Sequence, residues 1–252
     1  MLPLGILRSL LIYYGQPHKL LRLVRFYRQF IHPGDLCFDL GAHVGNRLWV
    51  YLRLGARVVA VEPQPALASL LRRLYGRHPR VDLVQKAVGA APGQGNLQIS
   101  SGAPTISSLS SAWIARMKLA PSFRGIRWDA SLPVTVTTLE ALIQAYGEPA
   151  YCKIDVEGSE PEVLQGLSRP LALLSFEYLP AAPDLALACL ERLAQLGAYA
   201  YNWSERETHR LRAPNWLTLA QIAAIIRALP LEAPSGDIYA RRLEAAPKNP
   251  PV

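Results

Sequence analysis

Short apolar runs alternate along this chain with stretches of helical spacing. Leu36-Cys37-Phe38, bounded before by Pro33-Gly34, reads as a buried strand. Arg47 to Leu54 follows as a helix closed by Gly55. Then come a second strand ending in Glu62, a helix over 66–75 and a third strand over 81–85. Strands alternating with helices imply parallel pairing and right-handed crossovers. The rhythm then changes: Gly93-Gln94-Gly95 predicts a hairpin turn and residues 96–100 a strand. Residues 101–132 read as a long loop rich in Ser and Pro, with a short helix near 113–118. A loop of that length either carries function or is disordered, and Trp113 within it is a candidate lid and acceptor contact.

Beyond it, Val134 to Thr137 predicts a strand and Thr138 a cap for the helix 139–146. Tyr151 to Asp155 is a further buried strand. Ser159-Glu160-Pro161-Glu162 opens a helix with its cap, early acids and proline in order. A strand over 171–177 and a helix over 184–196 follow. Residues 199–203 and 238–241 then form an antiparallel pair around a helix at 218–229. The whole is α/β: a doubly wound, mostly parallel sheet with an antiparallel C-terminal edge.

The start of the chain stands apart. Residues 4–31 read as helix with a break at Gly15-Gln16-Pro17, so that 1–31 is a helical extension, 32–244 the main domain and 245–252 a disordered tail. Leu20, Leu21, Val24 and Phe30 are expected to cover the sheet edge, with Lys19, Arg22, Arg25 and Arg28 outside. Peripheral contact with a membrane is the alternative for this helix.

Composition narrows the class. Half of the residues are hydrophobic and 18% charged, which excludes disorder and coiled coil. The net charge of +8 suggests anionic company, but no basic block with interleaved aromatics points to nucleic acid. Cys37, Cys152 and Cys189 lack C-x-x-C spacing and read as reduced, buried thiols of a cytoplasmic protein. No integral membrane segment and no secretion signal is expected. The oligomeric state is not encoded in any feature of the sequence.

Candidate chemistry lies where strands end. In open α/β sheets ligands sit outside the carboxyl ends of the strands, and Asp39, Glu62, Asp155 and Glu177 all fall there. Gly41 and Gly45 follow the first strand and suit a backbone turn close to a ligand, with His43 and Asn46 in or just after it. Glu62 lies about twenty residues past the turn, where a carboxylate meets ribose hydroxyls. Asp155 and Glu157, two apart across a turn, suit orientation or deprotonation of an acceptor hydroxyl. A divalent cation on the same acids lacks support from any His- or Cys-rich spacing, so no metal is expected.

Asp39-x-Gly41-x-x-x-Gly45, Glu62 and above all Lys153-Ile154-Asp155-Val156-Glu157-Gly158-Ser159-Glu160 resemble the FkbM family of S-adenosylmethionine-dependent methyltransferases. Ser107-Ser108-Leu109 and Phe176-Glu177 extend the likeness, which runs from about Gly34 to Glu177 with a fainter echo at 236–240. The resemblance implies a Rossmann-like class I fold and methyl transfer from S-adenosyl-L-methionine to an oxygen of a sugar, glycan or natural-product acceptor. It implies that Asp39, Gly41, His43, Gly45 and Asn46 border the methionine end of the cofactor. Glu62 would hold the ribose, and Gln85 to Ala87 would border the adenine. Asp155, with Glu157 and Glu177, would stand near the transferring methyl. His43 occupies a position where the family frequently has Asn; either can donate to the cofactor carboxylate.

Two other readings remain open from the sequence. One is an NAD-dependent oxidoreductase, which the glycine spacing disfavours. The other is a non-catalytic cofactor-binding module, against which the intact acids speak.

Overall fold

The computed structural model describes residues 4–206 and 208–243. The tail from 245, expected to be disordered, lies outside the described residues. The N-terminal extension is two helices, α1 (Leu4–Tyr14) and α2 (Pro17–Tyr27), with Pro17 opening the second. β1 (Leu36–Leu40), α3 (Asn46–Arg53), β2 (Arg57–Val61), α4 (Pro65–Tyr75) and β3 (Val81–Val84) then run as two βα units and a strand. After β4 (Ala87–Val88) and β5 (Gly93–Ile99) come α5 (Ser111–Met117), β6 (Ala130–Thr137) and α6 (Leu139–Tyr146). β7 (Tyr151–Ile154), α7 (Glu160–Gln165), β8 (Leu173–Tyr178), α8 (Pro183–Leu196), β9 (Tyr199–Glu205), α9 (Leu219–Ala228) and β10 (Gly236–Arg242) complete the fold.

The main sheet has the order β3-β2-β1-β7-β8-β10-β9. Its first five strands are parallel, and β10 inserts between β8 and β9 antiparallel to both. The chain leaves β1 toward β2 and β3, then crosses back to β7 on the other side of β1. That reversal opens a crevice at the carboxyl ends of β1 and β7.

A second sheet, β4-β6-β5, was not expected from the sequence. Gly93 and Gly95, expected in a hairpin turn, lie within β5 and pair with Val136 and Val134. The expected long loop is correspondingly shorter and better packed, since β6 begins at Ala130 and Ser110 caps α5 by accepting from the Trp113 amide.

Both faces of the main sheet are covered, as parallel strands require. Phe38, Leu40, Ile154 and Phe176 pack on one face with residues of α6 to α9. The other face meets α2 and α3 through an aromatic cluster. Phe26 and Phe30 each lie 5.5 Å from the Tyr239 ring, and Tyr27 is 5.2 Å from Tyr51 and 5.6 Å from Tyr151. The extension therefore belongs to the core.

Its inward face agrees with the expected one at Phe30 and at Val24, which packs beside the core, and differs around them. Leu23, Phe26, Tyr27 and Phe30 are buried, whereas Leu21 is 62% exposed. The helical spacing around the tyrosines and phenylalanines carries more apolar area than the leucine pair and wins the inward face. Phe26→Ala should therefore lower stability by about 3–5 kcal/mol, measured as a shift in urea midpoint. A shift below about 0.5 kcal/mol would detach α2 from the core.

Candidate active site

β1 delivers Asp39 and then turns sharply at Gly41. The Gly41 and Ala42 amides both donate to the Val61 carbonyl at the end of β2, and the Asp155 amide donates to the Leu40 carbonyl. These bonds draw the β7 turn so close that a Cβ on Gly41 would stand 1.9 Å from the Asp155 carbonyl oxygen. Gly41 also has φ +86°, the left-handed region where glycine is unstrained.

Gly45 sits differently from expectation. Its missing side chain faces Leu71, Tyr75 and the Tyr14 hydroxyl, not the crevice. There the Tyr14 hydroxyl donates to the Val44 carbonyl at 3.1 Å, so Gly45 makes room for α1 and α4 behind the turn.

Glu62 is buried at the end of β2. One carboxylate oxygen accepts the His43 amide at 2.9 Å and the other the Gln64 amide at 2.9 Å. Burial nonetheless pushes its carboxyl up to about 7, against the lowering effect of those amides. Each oxygen keeps a lone pair toward a cavity lined by Gly41, His43, Pro63, Ala87, Thr105 and Val156 among others. The expected loop residues reach this cavity through Pro104, Thr105, Ser107 and Leu109. Ala87 lines it, and so does Lys86. Gln85 does not, because its side-chain oxygen accepts from Arg72 at the surface.

A second cavity adjoins the first on the far side of Gly41 and His43. Tyr13, Asp39, Asn46, Arg47, Asp155, Glu157, Glu177 and Asp237 line it. Asp39 is 2% exposed and one of its oxygens has no partner, so burial raises its carboxyl to about 6 despite the nearby Arg47. His43 is held in a left-handed backbone conformation, φ +50°, with its Nε2 unpartnered and its ring edge-on to Tyr13. Burial lowers its imidazole to about 4, so it is neutral at physiological pH and can accept or donate.

The turn after β7 is braced from three sides. Glu160 accepts the Val156 and Gly158 amides at 3.0 Å each, and the Ser108 hydroxyl donates to the Glu157 carbonyl at 2.5 Å. Trp113, buried at 2% exposure, fills the space beside Gly158, where a Cβ would come within 2.2 Å of its ring. Trp113 thus packs as the floor of the turn. Together these contacts hold Glu157 at φ +56°, a costly conformation for a side-chain-bearing residue. Its carboxylate meets those of Asp155 and Glu177, with one oxygen from each lying within 4.8 Å of the other two. Burial and the neighbouring acids drive Glu157 and Glu177 well above the usual carboxylate range.

Positive charge balances the other side of Asp155. Lys153, 1% exposed, donates to Asp237 at 2.7 Å and stands 3.3 Å from Asp155. Burial would depress its ammonium, but Asp155 and Asp237 more than offset this and hold it above its usual range. Arg47 adds contacts at 3.9 Å to both acids. Sequence reasoning passed over Asp237, Lys153, Arg47, Glu160 and Tyr13 as site residues. The first three meet only because β10 pairs with β8 on the sheet that β7 also joins.

A third cavity, of about 650 Å3, opens from Glu157 and Glu177. Its walls are mostly apolar, with Ile106, Phe123, Ile126, Leu179 and Leu231, and Arg206 and Glu232 at polar points.

The sequence model of the FkbM methyltransferase domain matches residues 39–183, more than half of the chain, and every acid of the crevice except Asp237 lies inside the match. The chain belongs to the FkbM methyltransferase family. It is a methyltransferase whose cofactor is S-adenosylmethionine. No curated protein matches the sequence closely enough to count as a relative. Among solved structures, an O-methyltransferase from Bacillus cereus in complex with SAH is similar at 12% identity and TM-score 0.47, covering 95% of this chain and 90% of that one. A precorrin-6y C5,15-methyltransferase from Geobacter metallireducens is similar at 11% identity and TM-score 0.43, covering 88% of each chain. Neither likeness bears on the acceptor.

The crevice of this FkbM chain suits its cofactor. Asp39 offers an unpartnered buried carboxylate oxygen of the kind an ammonium group would satisfy. Glu62 offers lone pairs suited to two hydroxyls, and Gly41 lets the β7 turn that carries Asp155 close against the crevice.

Proposed function

We propose that this methyltransferase transfers its methyl group to a hydroxyl of a sugar, glycan or natural-product acceptor. Asp39 and Asn46 hold the methionine end of the cofactor, Glu62 the ribose, and Ala87 borders the adenine. When bound, the cofactor supplies an electrophilic methyl on sulfur; the chain has only to position the acceptor and manage its proton. The observation that carries the reading is the pair Glu157 and Glu177, raised well above the carboxylate range at the junction of the second and third cavities. A carboxylate raised above its usual range is a stronger base, suited to take a hydroxyl proton as the new C–O bond forms. Asp155, fixed by Lys153, orients that hydroxyl.

The apolar third cavity favours an acceptor hydroxyl carried on a largely apolar scaffold, such as a glycosylated natural product, over a free polysaccharide. Lys153 and Arg47 already supply cationic charge beside Asp155, and this favours a metal-free site. The test is methyl transfer from methyl-labelled cofactor to a panel of hydroxylated scaffolds and free oligosaccharides, with and without EDTA. Label on hydroxyl oxygen of the scaffolds, unchanged by EDTA, is the expected result. Label only on nitrogen or carbon, or activity abolished by EDTA and restored by Mg2+, would overturn the corresponding part. Cofactor binding with no transfer to any acceptor class would favour a non-catalytic module.

A further inference from the structure

The outward faces of α1 and α2 are not explained by the core or by the crevice. On α1, Ile6 and Ser9 are buried, while Leu7, Leu11 and Ile12 on the opposite side are 47%, 65% and 50% exposed. Three large aliphatic side chains within six residues, all on one helix face, exceed the scattered exposure normal for a soluble surface. On α2, the buried face holds Leu23, Phe26 and Tyr27. Leu21 stands out at 62% exposure on the same outward face as the exposed Arg22, Arg25 and Arg28. The two faces meet where Ile12 and Lys19 line one shallow hollow.

The charge of this region has one sign. The first acid in the sequence is Asp35, and residues 4–34 carry Arg8, Lys19, Arg22, Arg25 and Arg28 without a carboxylate. Neither α3 nor α4, the helices packed beneath, contains an acid; both add arginines. An exposed aliphatic strip flanked by cations suits a layer that is anionic outside and apolar just beneath. No helix among the described residues is long and apolar enough to cross a membrane.

We infer that α1 and α2 form a docking surface for an anionic lipid bilayer. Leu7, Leu11, Ile12 and Leu21 enter the acyl boundary, and the arginines of α2 contact the headgroups. A nucleic acid would use the arginines but gain nothing from the aliphatic strip. The inference does not depend on which acceptor is methylated.

The full chain is to be sedimented with phosphatidylcholine vesicles, with and without phosphatidylglycerol, and titrated with a fluorescent RNA oligonucleotide. The parent should sediment only with the anionic vesicles. Arg22→Glu with Arg25→Glu should weaken this by about 50-fold or more, and Leu7→Ser with Leu11→Ser by about tenfold. Both variants should keep the parent's melting temperature and affinity for S-adenosylhomocysteine, since these side chains are exposed and line neither crevice cavity. Leu21→Ser serves as a second apolar variant should the α1 pair fail to fold. Absence of sedimentation would overturn the inference. So would apolar variants that sediment like the parent, or RNA binding tighter than vesicle binding and lost only in the arginine variant.

Discussion

Gly41→Ala should abolish S-adenosylhomocysteine binding and destabilise the protein by roughly 2–5 kcal/mol. Two costs add. An alanine at φ +86° pays about 1–2 kcal/mol for the left-handed backbone. Its Cβ would also fall 1.9 Å from the Asp155 carbonyl, a backbone atom with no rotamer to change. Relief requires the β7 turn to move away, which strains the bond from the Asp155 amide to Leu40 and displaces Asp155 itself. Overpacking of this kind typically costs a further 1–3 kcal/mol. Urea denaturation and calorimetry measure the two effects. A variant with parental stability and affinity would mean that the turn is slack and the close approach is unimportant.

Glu177→Gln should do the reverse to stability while damaging turnover. Burial and the charges of Asp155 and Glu160 raise the Glu177 carboxyl well above its usual range, so its ionisation works against the fold. A carboxyl raised in the folded state contributes stability that is fully present below its unfolded value near 4.3 and lost as pH rises toward the folded one. The amide keeps shape and one acceptor but cannot ionise. The gain in stability should therefore be absent near pH 4 and grow as pH rises above it. Turnover should fall by about 100-fold, within the range that a general base supplies, with cofactor affinity changed only modestly. A variant that melts lower at pH 8 would show that the acid is structurally paired. One that turns over normally would move the proton acceptor to Glu157.

Much of this site was legible because β1, β2 and β7 are short apolar runs that end in carboxylates. Their order fixes a crevice without any knowledge of side-chain contacts. Glu62 and Asp155 needed only the position of a strand end. What stayed hidden depends on long-range pairing. Lys153 bonds Asp237, 84 residues away, through a sheet edge whose order could not be read from local pattern. β5 and β6 pair across more than thirty residues, so residues 96–100 and 134–137 read as strands but their pairing did not, and Gly93 to Gly95 and Ala130 to Leu132 read as turn and loop. Gly45 was misplaced for a similar reason. Its spacing suits a ligand, yet the α1 and α4 side chains that claim its space come from elsewhere in the chain.

The central claim is that the Gly41 turn and Glu62 hold S-adenosylmethionine in the crevice of β1 and β2. Calorimetric titration of S-adenosylhomocysteine into the parent and into Glu62→Gln tests it most directly, with NADH titrated in parallel. The amide keeps the shape but accepts only one of the His43 and Gln64 N–H groups, its own NH2 facing the other, and it loses the charge that strengthens bonds to hydroxyls, worth about 1.5–3 kcal/mol. Binding of S-adenosylhomocysteine but not NADH, weakened by about 10- to 100-fold in a Glu62→Gln variant that still unfolds cooperatively, is the result this account predicts. Parental affinity in Glu62→Gln, or no binding to the parent, would contradict it.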